Sequence, residues 1–226
     1  MIYNYPGETE EVLTRDLEII KSLGLAGVSF YSLMLYEKTP LFVAVTDAER
    51  AEMNDLGREK IFFDMITGEL GKAGYGLFEL TKLIRNGLDR YDYIRIRHTG
   101  GSCIAIGHGA GGNLEDYVYH NGAGAKKVSE SIPISAMGRV LSPAYRVMDT
   151  FVNDLQKTSA DLSDYSARLG VNLNKILDEV LTKMENGGLL VRNGETVKLT
   201  HNGVFWGNNI IDEIISAIIS NEEFGG

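Results

Sequence analysis

The first third of the chain shows apolar and polar positions in a strand–helix–strand order. The apolar start, Met1–Tyr5, predicts a strand, and Pro6-Gly7 predicts a turn after it. Thr9 is a suitable N-cap for a helix with an apolar stripe, and Gly24 predicts the end of that helix. Apolar residues at 28–33 predict a second strand. This order is typical of a βαβ unit and therefore predicts a parallel sheet.

The middle of the chain predicts one long helix followed by extended segments. Residues Thr46–Glu49 match the capping-box pattern, so we expect a helix to begin there. Its apolar face would carry Met53, Leu56, Phe63, Ile66 and Leu70. The alternating residues 91–97 predict an extended segment, and Ser102–Ile106 predict a strand within the glycine-rich segment 100–112.

The last third differs in composition from the rest. The change falls between Ser129 and Pro143 and predicts a domain boundary there. Two apolar stripes at helical spacing predict helices at 161–169 and 173–184. Asn193-Gly194 lies between two short apolar segments and is a strong signal for a β-hairpin. Two helices followed by a hairpin predict a winged-helix-like module.

The charge balance argues against a nucleic-acid partner. The 226 residues include 22 Lys and Arg against 31 Asp and Glu, a net charge of −9. Such a chain is a poor binder of a phosphate backbone. The second helix of the winged-helix-like module, where groove-reading residues would lie, has more acidic than basic side chains: Lys175 and Lys183 against Asp178, Glu179 and Glu185. We therefore expect no nucleic-acid partner.

The number of cysteines and the lack of long apolar stretches exclude several classes of protein. The single cysteine, Cys103, excludes an internal disulfide framework, a CxxC zinc site and an iron–sulfur cluster held only by cysteines of this chain. The N-terminal residues lack a secretory pattern, and no apolar stretch approaches membrane-spanning length. We expect a cytoplasmic protein with no membrane partner.

The glycine-rich segment contains a string of the dinucleotide-binding type, Gly107-x-Gly109-x-x-Gly112. That motif requires a helix N-terminus directly after the glycines, and residues 113–119 show no helical stripe. A dinucleotide site is therefore disfavoured. Two interpretations stay open: a turn whose glycines serve only backbone geometry, or a loop that lets a flat or anionic ligand approach the backbone closely.

Two groups of side chains next to this segment are candidates for ligand contacts. His108 stands among the glycines, where an imidazole can reach a ligand or an iron; the alternative is a solvent-exposed loop histidine. Arg95, Arg97 and His98 form a small basic group suited to propionate or carboxylate groups; the alternative is that they line the wet face of a strand.

Several segments, in order along nearly the whole chain, resemble one family. Residues 4–9, Asn-Tyr-Pro-Gly-Glu-Thr, are similar to the Gly-Leu-Pro-Gly-Gln-Thr turn of the oxygen-independent coproporphyrinogen III oxidase group of radical S-adenosylmethionine (SAM) enzymes. Residues 29–33 resemble that group's next barrel strand, and 104–110 its Gly-x-Gly-x-Gly-Ala loop. Residues 189–206 resemble its C-terminal module. The segments 97–98 and 109–113 look most like the haem-utilisation, anaerobilin synthase-like branch.

The resemblance implies a fold, cofactors and site residues. The full-length family uses SAM and a [4Fe–4S] cluster, and this branch acts on haem or a related tetrapyrrole without oxygen. The residues expected to bind the cofactor are Tyr5, Pro6, Gly7, Tyr31, Gly107, Gly109 and Ala110. Those expected to bind the substrate are Arg95, Arg97, His98 and His108, with His108 also the candidate iron ligand. Which of His98, His108 and His120 meets iron stays open.

Two departures from the family pattern qualify these expectations. The family's CxxxCxxC motif, which lies in the first half of its barrel, is not in this sequence, and Cys103 is no substitute because three thiolates hold the cluster. Glu8 replaces the usual glutamine and adds a negative charge beside the expected SAM position. The chain thus resembles the back half of a radical enzyme, and we expect no radical chemistry from it alone.

These observations lead to one fold prediction and three functional hypotheses. We predict an α/β protein with a partial parallel (β/α) barrel half at 1–135, followed by a helical, winged-helix-like domain at 136–226. The first hypothesis is the cofactor- and tetrapyrrole-binding portion of a radical SAM haem-utilisation enzyme. The second is a non-catalytic haem-binding or carrier protein derived from that family. The third is an interaction module whose open sheet edge associates as a homodimer or with the family's N-terminal half.

Overall fold

The computed structural model describes residues 1–85, 87–107, 109–122 and 137–221. Backbone contacts divide the chain into two compact units, Met1–Arg90 and Tyr91–Gly226. The domain boundary predicted near residue 135 falls within residues 123–136, which lie outside the described residues, and it stays a prediction. The division by contacts groups the glycine-rich segment with the C-terminal helices.

The first unit contains three-stranded and two-stranded sheets packed with helices. Its elements are β1 (Ile2–Tyr3), α1 (Glu10–Leu23), β2 (Gly27–Ser29), β3 (Tyr31–Ser32), α2 (Pro40–Ala44), α3 (Asp47–Met53), α4 (Leu56–Lys72), β4 (Tyr75–Glu79) and β5 (Lys82–Arg85). Helices α1 and α4 pack together. The largest fully buried side chains of this unit are Leu13, Leu17, Phe30, Ile66 and Leu70.

The predicted βαβ unit is present at the start of the chain. Strand β1 pairs in parallel with β3, with Ile2 opposite Tyr31, and α1 connects them. Thr9 caps α1 by accepting a hydrogen bond from the backbone N–H of Val12, and Gly24 ends it in the left-handed conformation. The predicted strand at 28–33 is divided, because β2 joins a different sheet, pairing antiparallel with β5.

The predicted long helix is wrong as one element. The capping box of Thr46 and Glu49 is formed as expected and starts α3. However, Asp55 interrupts the helix: its Oδ1 accepts hydrogen bonds from the backbone N–H groups of Gly57 and Arg58 and so starts α4. Leu56, predicted to lie on the apolar face, is consequently in the first turn of α4 and exposed.

The second unit contains two antiparallel sheets and most of the helices. Its elements are α5 (Asp92–His98), β6 (Gly111–Leu114), β7 (Tyr117–His120), β8 (Met137–Val140), α6 (Pro143–Gln156), β9 (Ser159–Asp161), α7 (Leu162–Leu169), α8 (Leu173–Asn186), β10 (Leu190–Asn193), β11 (Thr196–Leu199), α9 (His201–Phe205) and α10 (Gly207–Ile219). The sheets have the strand orders β6-β7-β8 and β10-β11-β9. Its fully buried side chains include Phe151, Leu173, Leu177, Leu181, Ile214 and Ile218.

Helices α7 and α8 and the hairpin of β10 and β11 confirm the predictions for the C-terminal segment. Asp161 caps α7, Asn172 caps α8, and Gly194 has a positive φ of 61° in the hairpin turn. Strand β9 adds to β11 as a third, antiparallel strand that the sequence pattern did not predict. Its three residues are too few to show alternation.

The predictions of an extended segment at 91–97 and of a strand at 102–106 are both wrong. Residues 92–98 form α5, in which Arg97 Nη1 donates to the hydroxyl of Tyr93, four residues earlier, at 3.2 Å. This spacing is one helical turn, and a short alternating segment does not distinguish it from a strand. Ser102–Ile106 form no strand; Cys103 alone makes an isolated bridge, to Asn113.

The mixed α/β class is confirmed, and its details differ from a purely parallel arrangement. Among the described strands, parallel pairing is confined to β1 and β3, and the remaining pairs are antiparallel. The half-barrel and winged-helix interpretations stay predictions. None of the described helices combines the length and the apolar character needed to cross a bilayer.

Candidate functional site

The turn that follows β1 is anchored through Asn4, a buried residue in the left-handed conformation. Its side-chain Nδ2 donates to the carbonyl of Met53 at 2.9 Å and to Ser32 Oγ at 3.3 Å. Arg58 donates from Nη1 to Asn4 Oδ1 and from Nη2 to the carbonyl of Glu8 at 2.7 Å. Asn4 and Arg58 therefore hold both ends of the turn in place.

The side chain of Glu8 makes a hydrogen bond across the turn. It is only 3% exposed, and its Oε2 accepts a hydrogen bond from the backbone N–H of Asn4. Its Oε1 has no hydrogen-bond partner among the described residues. Burial raises the pKa of Glu8, although the hydrogen bond from Asn4 and the charge of Arg58 oppose that shift. The carboxyl group that stands where the resemblance predicts a glutamine is thus buried.

Four predicted cofactor-binding residues lie in the first unit. Tyr5, Pro6 and Gly7 together form the turn, and Gly7 has a positive φ of 74° with no atom within 4 Å of the position a Cβ would take. Tyr31 lies on β3 opposite Ile2, with half of its surface exposed. The structure therefore brings three of the four into one turn and places the fourth on the neighbouring strand.

The remaining predicted cofactor-binding residues lie in the segment that precedes β6. We call its described residues, 104–107, 109 and 110, the glycine loop. Gly107 and Gly109 have φ values of 98° and 69°, and nothing lies within 4 Å of a Cβ built on either. Their backbone conformation therefore requires glycine, whereas space does not. His108 lies outside the described residues, so its predicted contacts with substrate and iron stay predictions.

The glycine loop also exposes two aliphatic side chains. Ile104 is 70% exposed and Ile106 is 88% exposed. These two side chains leave apolar surface on the same loop as the glycines. Ala110, the third predicted residue of this group, accepts a hydrogen bond through its carbonyl from the backbone N–H of Asn121.

Two residues of the β6–β7 hairpin hold the glycine loop, and neither was predicted from the sequence. The hydroxyl of Tyr119 accepts a hydrogen bond from the backbone N–H of Ala105 at 3.0 Å. Asn121 Nδ2 donates to the carbonyls of Ala105, at 3.2 Å, and Gly107, at 2.8 Å. The only sequence signal for them is the alternation of tyrosines that ends in an asparagine at 117–121.

The last two glycines of the segment have a packing role within the sheet. A Cβ at Gly112 would lie 2.8 Å from the backbone of Cys103 and Ala105, and one at Gly111 would lie 2.8 Å from the ring of His120. Strand β6, rather than a helix, begins at Gly111. A dinucleotide site of the Gly107-x-Gly109-x-x-Gly112 type is therefore excluded, because no helix N-terminus follows the glycines.

Helix α5 separates the three basic residues that the sequence placed in one group. Arg95 and Arg97 are exposed in its last turn. His98 is 8% exposed and lies on the helix that packs against α6. Burial lowers the pKa of His98, and the positive charges of Lys157 and Arg97 act in the same direction. The two arginines are accessible to an anionic group, whereas the histidine is buried.

The donor set does not fit an iron–sulfur cluster. The sequence holds one cysteine, whereas the family's cluster requires three thiolates. Cys103 is half-buried, and its backbone N–H and carbonyl exchange hydrogen bonds with those of Asn113 at 2.8 Å. Within the described residues, no three His, Cys, Asp or Glu side chains are grouped to hold a metal ion.

Comparison with known families places the C-terminal segment. Residues 141–206 match the family described as the HemN C-terminal domain. The chain is 22% identical over 219 residues to anaerobilin synthase of Escherichia coli O157:H7, covering 95% of this chain and 48% of that protein. It is 24% identical over 218 residues to the heme chaperone HemW of Lactococcus lactis, covering 95% of this chain and 57% of that protein.

A solved structure has the same fold over nearly the whole chain. The coproporphyrinogen III oxidase (HemN) of Escherichia coli, described as a radical SAM enzyme, superimposes with a TM-score of 0.75 at 15% identity. The match covers 94% of this chain and 53% of the enzyme. The chain thus spans about half the length of the proteins it matches. Together these matches confirm the predicted resemblance to the coproporphyrinogen III oxidase-like radical SAM group.

Proposed function

We propose that this chain is the cofactor- and tetrapyrrole-binding portion of a haem-related protein of the coproporphyrinogen oxidase-like radical SAM group. The observation that carries the proposal is similarity over 95% of the chain to two proteins whose names concern haem metabolism, anaerobilin synthase and heme chaperone HemW. The fold shared with coproporphyrinogen III oxidase supports it. The half-barrel arrangement at 1–135 and the winged-helix-like arrangement at 136–226 belong to the same proposal.

In this proposal two segments carry ligand contacts. The turn at Tyr5, Pro6 and Gly7, with Tyr31 on the next strand, is proposed to bind SAM. The glycine loop, including Gly107, Gly109 and Ala110, is proposed as a cofactor- and tetrapyrrole-binding segment. The absence of Cβ atoms at Gly107 and Gly109, together with exposed Ile104 and Ile106, supports close approach of a flat, apolar macrocycle.

The polar periphery of a tetrapyrrole would meet the basic residues of α5. Exposed Arg95 and Arg97 suit propionate groups, because guanidinium and carboxylate form charge-assisted hydrogen bonds. His108 would supply the iron ligand. His98 is the weakest member of the predicted set, because its burial keeps it from a surface ligand unless α5 moves.

The SAM and cluster chemistry of the group needs donors from outside this sequence. This chain's own residues would bind and orient the cofactor and the substrate. We therefore propose that the 226 residues alone bind ligand and carry out no radical reaction.

Titration of the full chain with hemin tests the proposal. We expect a shifted Soret band that saturates, and a loss of affinity of about tenfold or more in His108→Ala, because an axial ligand is removed. His201→Ala is the matched control, since His201 lies at the start of α9 outside the candidate site. No Soret shift in the wild-type chain would count against haem binding, and equal affinities of both variants and wild type would count against His108 as the axial ligand.

A second candidate function is a haem carrier without catalysis. The similarity to a protein described as a heme chaperone specifically favours it. The two candidates differ in how bound haem leaves. A carrier hands haem directly to an acceptor, so the transfer rate to apomyoglobin should rise with apomyoglobin concentration. An enzyme portion should release haem at a rate that is independent of the acceptor.

Association through the first sheet is also part of the proposal. Among the described strands, β1 has β3 as its one neighbour, so its other edge presents backbone groups for pairing. We propose that this edge pairs with a second copy or with a segment corresponding to the family's N-terminal half. In sedimentation velocity, the fraction of dimer should rise with protein concentration if two copies pair. A monomer at high concentration would contradict the homodimer.

A further inference from the structure

Asn121 lies directly after β7 and joins both sides of the glycine loop. Its Nδ2 donates to the carbonyls of Ala105 and Gly107, at 3.2 and 2.8 Å, on the side that enters the loop. Its backbone N–H donates to the carbonyl of Ala110, at 2.8 Å, on the side that leaves it. One residue therefore links positions 105, 107 and 110 through three hydrogen bonds.

Tyr119, two residues earlier on the same strand, completes the anchoring. Its ring is buried and stacks against that of Tyr117, with centroids 6.0 Å apart. Its hydroxyl accepts from the backbone N–H of Ala105. The N–H and the carbonyl of Ala105 are thus both satisfied by side chains, although Ala105 belongs to no described strand. Side chains replace the strand ladder in this segment.

The loop needs such anchors because of its composition. Gly107 and Gly109 adopt positive φ values, and glycine has more accessible backbone conformations than any other residue. A ligand that requires one conformation of a free glycine loop must order that loop as it binds, which lowers its affinity. Hydrogen bonds from Asn121 order the backbone before the ligand arrives.

We propose that Asn121 is a positioning residue that pre-orders the glycine loop for the tetrapyrrole. This inference rests on the proposed function of the loop and adds a residue that the sequence comparison did not indicate. Asn121 acts through the backbone of Ala105, Gly107 and Ala110. It is not required to touch the ligand.

Asn121→Asp in the full chain tests this role, because a carboxylate cannot donate to two carbonyls. Asn113→Asp is the matched control: Asn113 Nδ2 donates to the carbonyl of Gly101 at 3.0 Å, outside the glycine loop. Both variants remove an amide donor and add one negative charge. Three quantities are measured for each: amide hydrogen exchange of peptides covering 103–110, hemin affinity, and the Soret maximum at saturation.

We expect Asn121→Asp to speed exchange at 103–110, to weaken hemin binding about tenfold or more, and to shift the Soret maximum. Asn113→Asp should change the Soret maximum and the affinity little. Unchanged exchange in Asn121→Asp, or equal changes of affinity and Soret maximum in both variants, would overturn the positioning role. A wild-type chain that binds no hemin would overturn the proposed function and this role with it, whereas the exchange rates would still report whether Asn121 orders the loop.

Discussion

The turn after β1 and the glycine loop before β6 are both irregular backbone segments, but different chemistry holds them. The turn is anchored by buried and charged groups, Asn4, Glu8 and Arg58. The glycine loop is anchored by the neutral side chains of Tyr119 and Asn121 at a partly exposed site. A buried charge is costly when its partner is lost, whereas a neutral surface hydrogen bond is not. Removing an anchoring side chain should therefore cost more folding stability in the turn than in the loop.

The largest effect is expected from Arg58→Ala, which breaks the anchoring of the turn. The variant removes the positive charge near the buried carboxylate of Glu8 and leaves the carbonyl of Glu8 and Asn4 Oδ1 without their donor. We expect a loss of about 2–4 kcal/mol in the free energy of unfolding, measured by urea titration with far-UV circular dichroism. Lys72→Ala on the same helix removes only an exposed ion pair and should change stability little. Equal losses would contradict the role given to Arg58.

Gly112→Ala should have the next largest effect and tests the packing of the loop against β6. Its Cβ would lie 2.8 Å from the backbone of Cys103 and Ala105, which cannot move aside as a flexible side chain can. We expect overpacking to lower the free energy of unfolding by about 1–3 kcal/mol. Urea titration monitored by the fluorescence of Trp206, the single tryptophan, measures this loss. Gly122→Ala, where no atom lies within 4 Å, is the control and should leave stability nearly unchanged.

Gly107→Ala should lower the free energy of unfolding less than Gly112→Ala, because Gly107 is required only for its backbone conformation. The residue has a φ of 98° and open space around the Cβ position. We expect a loss of about 1 kcal/mol, since L-residues disfavour positive φ. A loss larger than that of Gly112→Ala, by the same fluorescence measurement, would show that space rather than conformation limits this position.

The smallest expected effect is a change in how the free energy of unfolding depends on pH, seen when Glu8→Gln is compared with wild type. Because burial raises the pKa of Glu8 above its value in the unfolded chain, the folded protein binds the proton more tightly. That stabilising contribution is fully present below the unfolded pKa and is lost as pH rises through the folded pKa. The stability of wild type relative to Glu8→Gln should therefore fall as pH rises from the acid range. Parallel stability curves for the two proteins would contradict this expectation.

Local sequence signals predicted the elements whose stabilising contacts lie within a few residues. The caps at Thr9 and Thr46 and the hairpin turn at Gly194 all formed where their residue types indicated. Each depends on hydrogen bonds or a backbone conformation reached inside one turn of chain. The segment at 91–97 could not be assigned in this way, because its helix packs against α6 and short apolar patterns are ambiguous.

The candidate site was predicted in part, through resemblance to a family rather than through periodicity. The family resemblance named the turn and the glycine loop as cofactor-binding. It did not indicate Arg58, which lies 54 residues from Asn4 in sequence, or Asn121, which lies 14 residues from Gly107. Anchors at such separations leave no local pattern, because only the folded chain brings them together.

By itself the sequence determined the mixed α/β class, the positions of helices α1, α7 and α8, and, through a single cysteine, that no cluster is held by this chain's thiolates alone. These follow from local hydrogen bonding, apolar spacing and ligand count. Only the tertiary structure decided that Glu8 is buried, that His98 faces inward, and that Gly111 and Gly112 serve strand packing while Gly107 and Gly109 serve conformation. The reason is that burial and close approach are properties of neighbours distant in sequence.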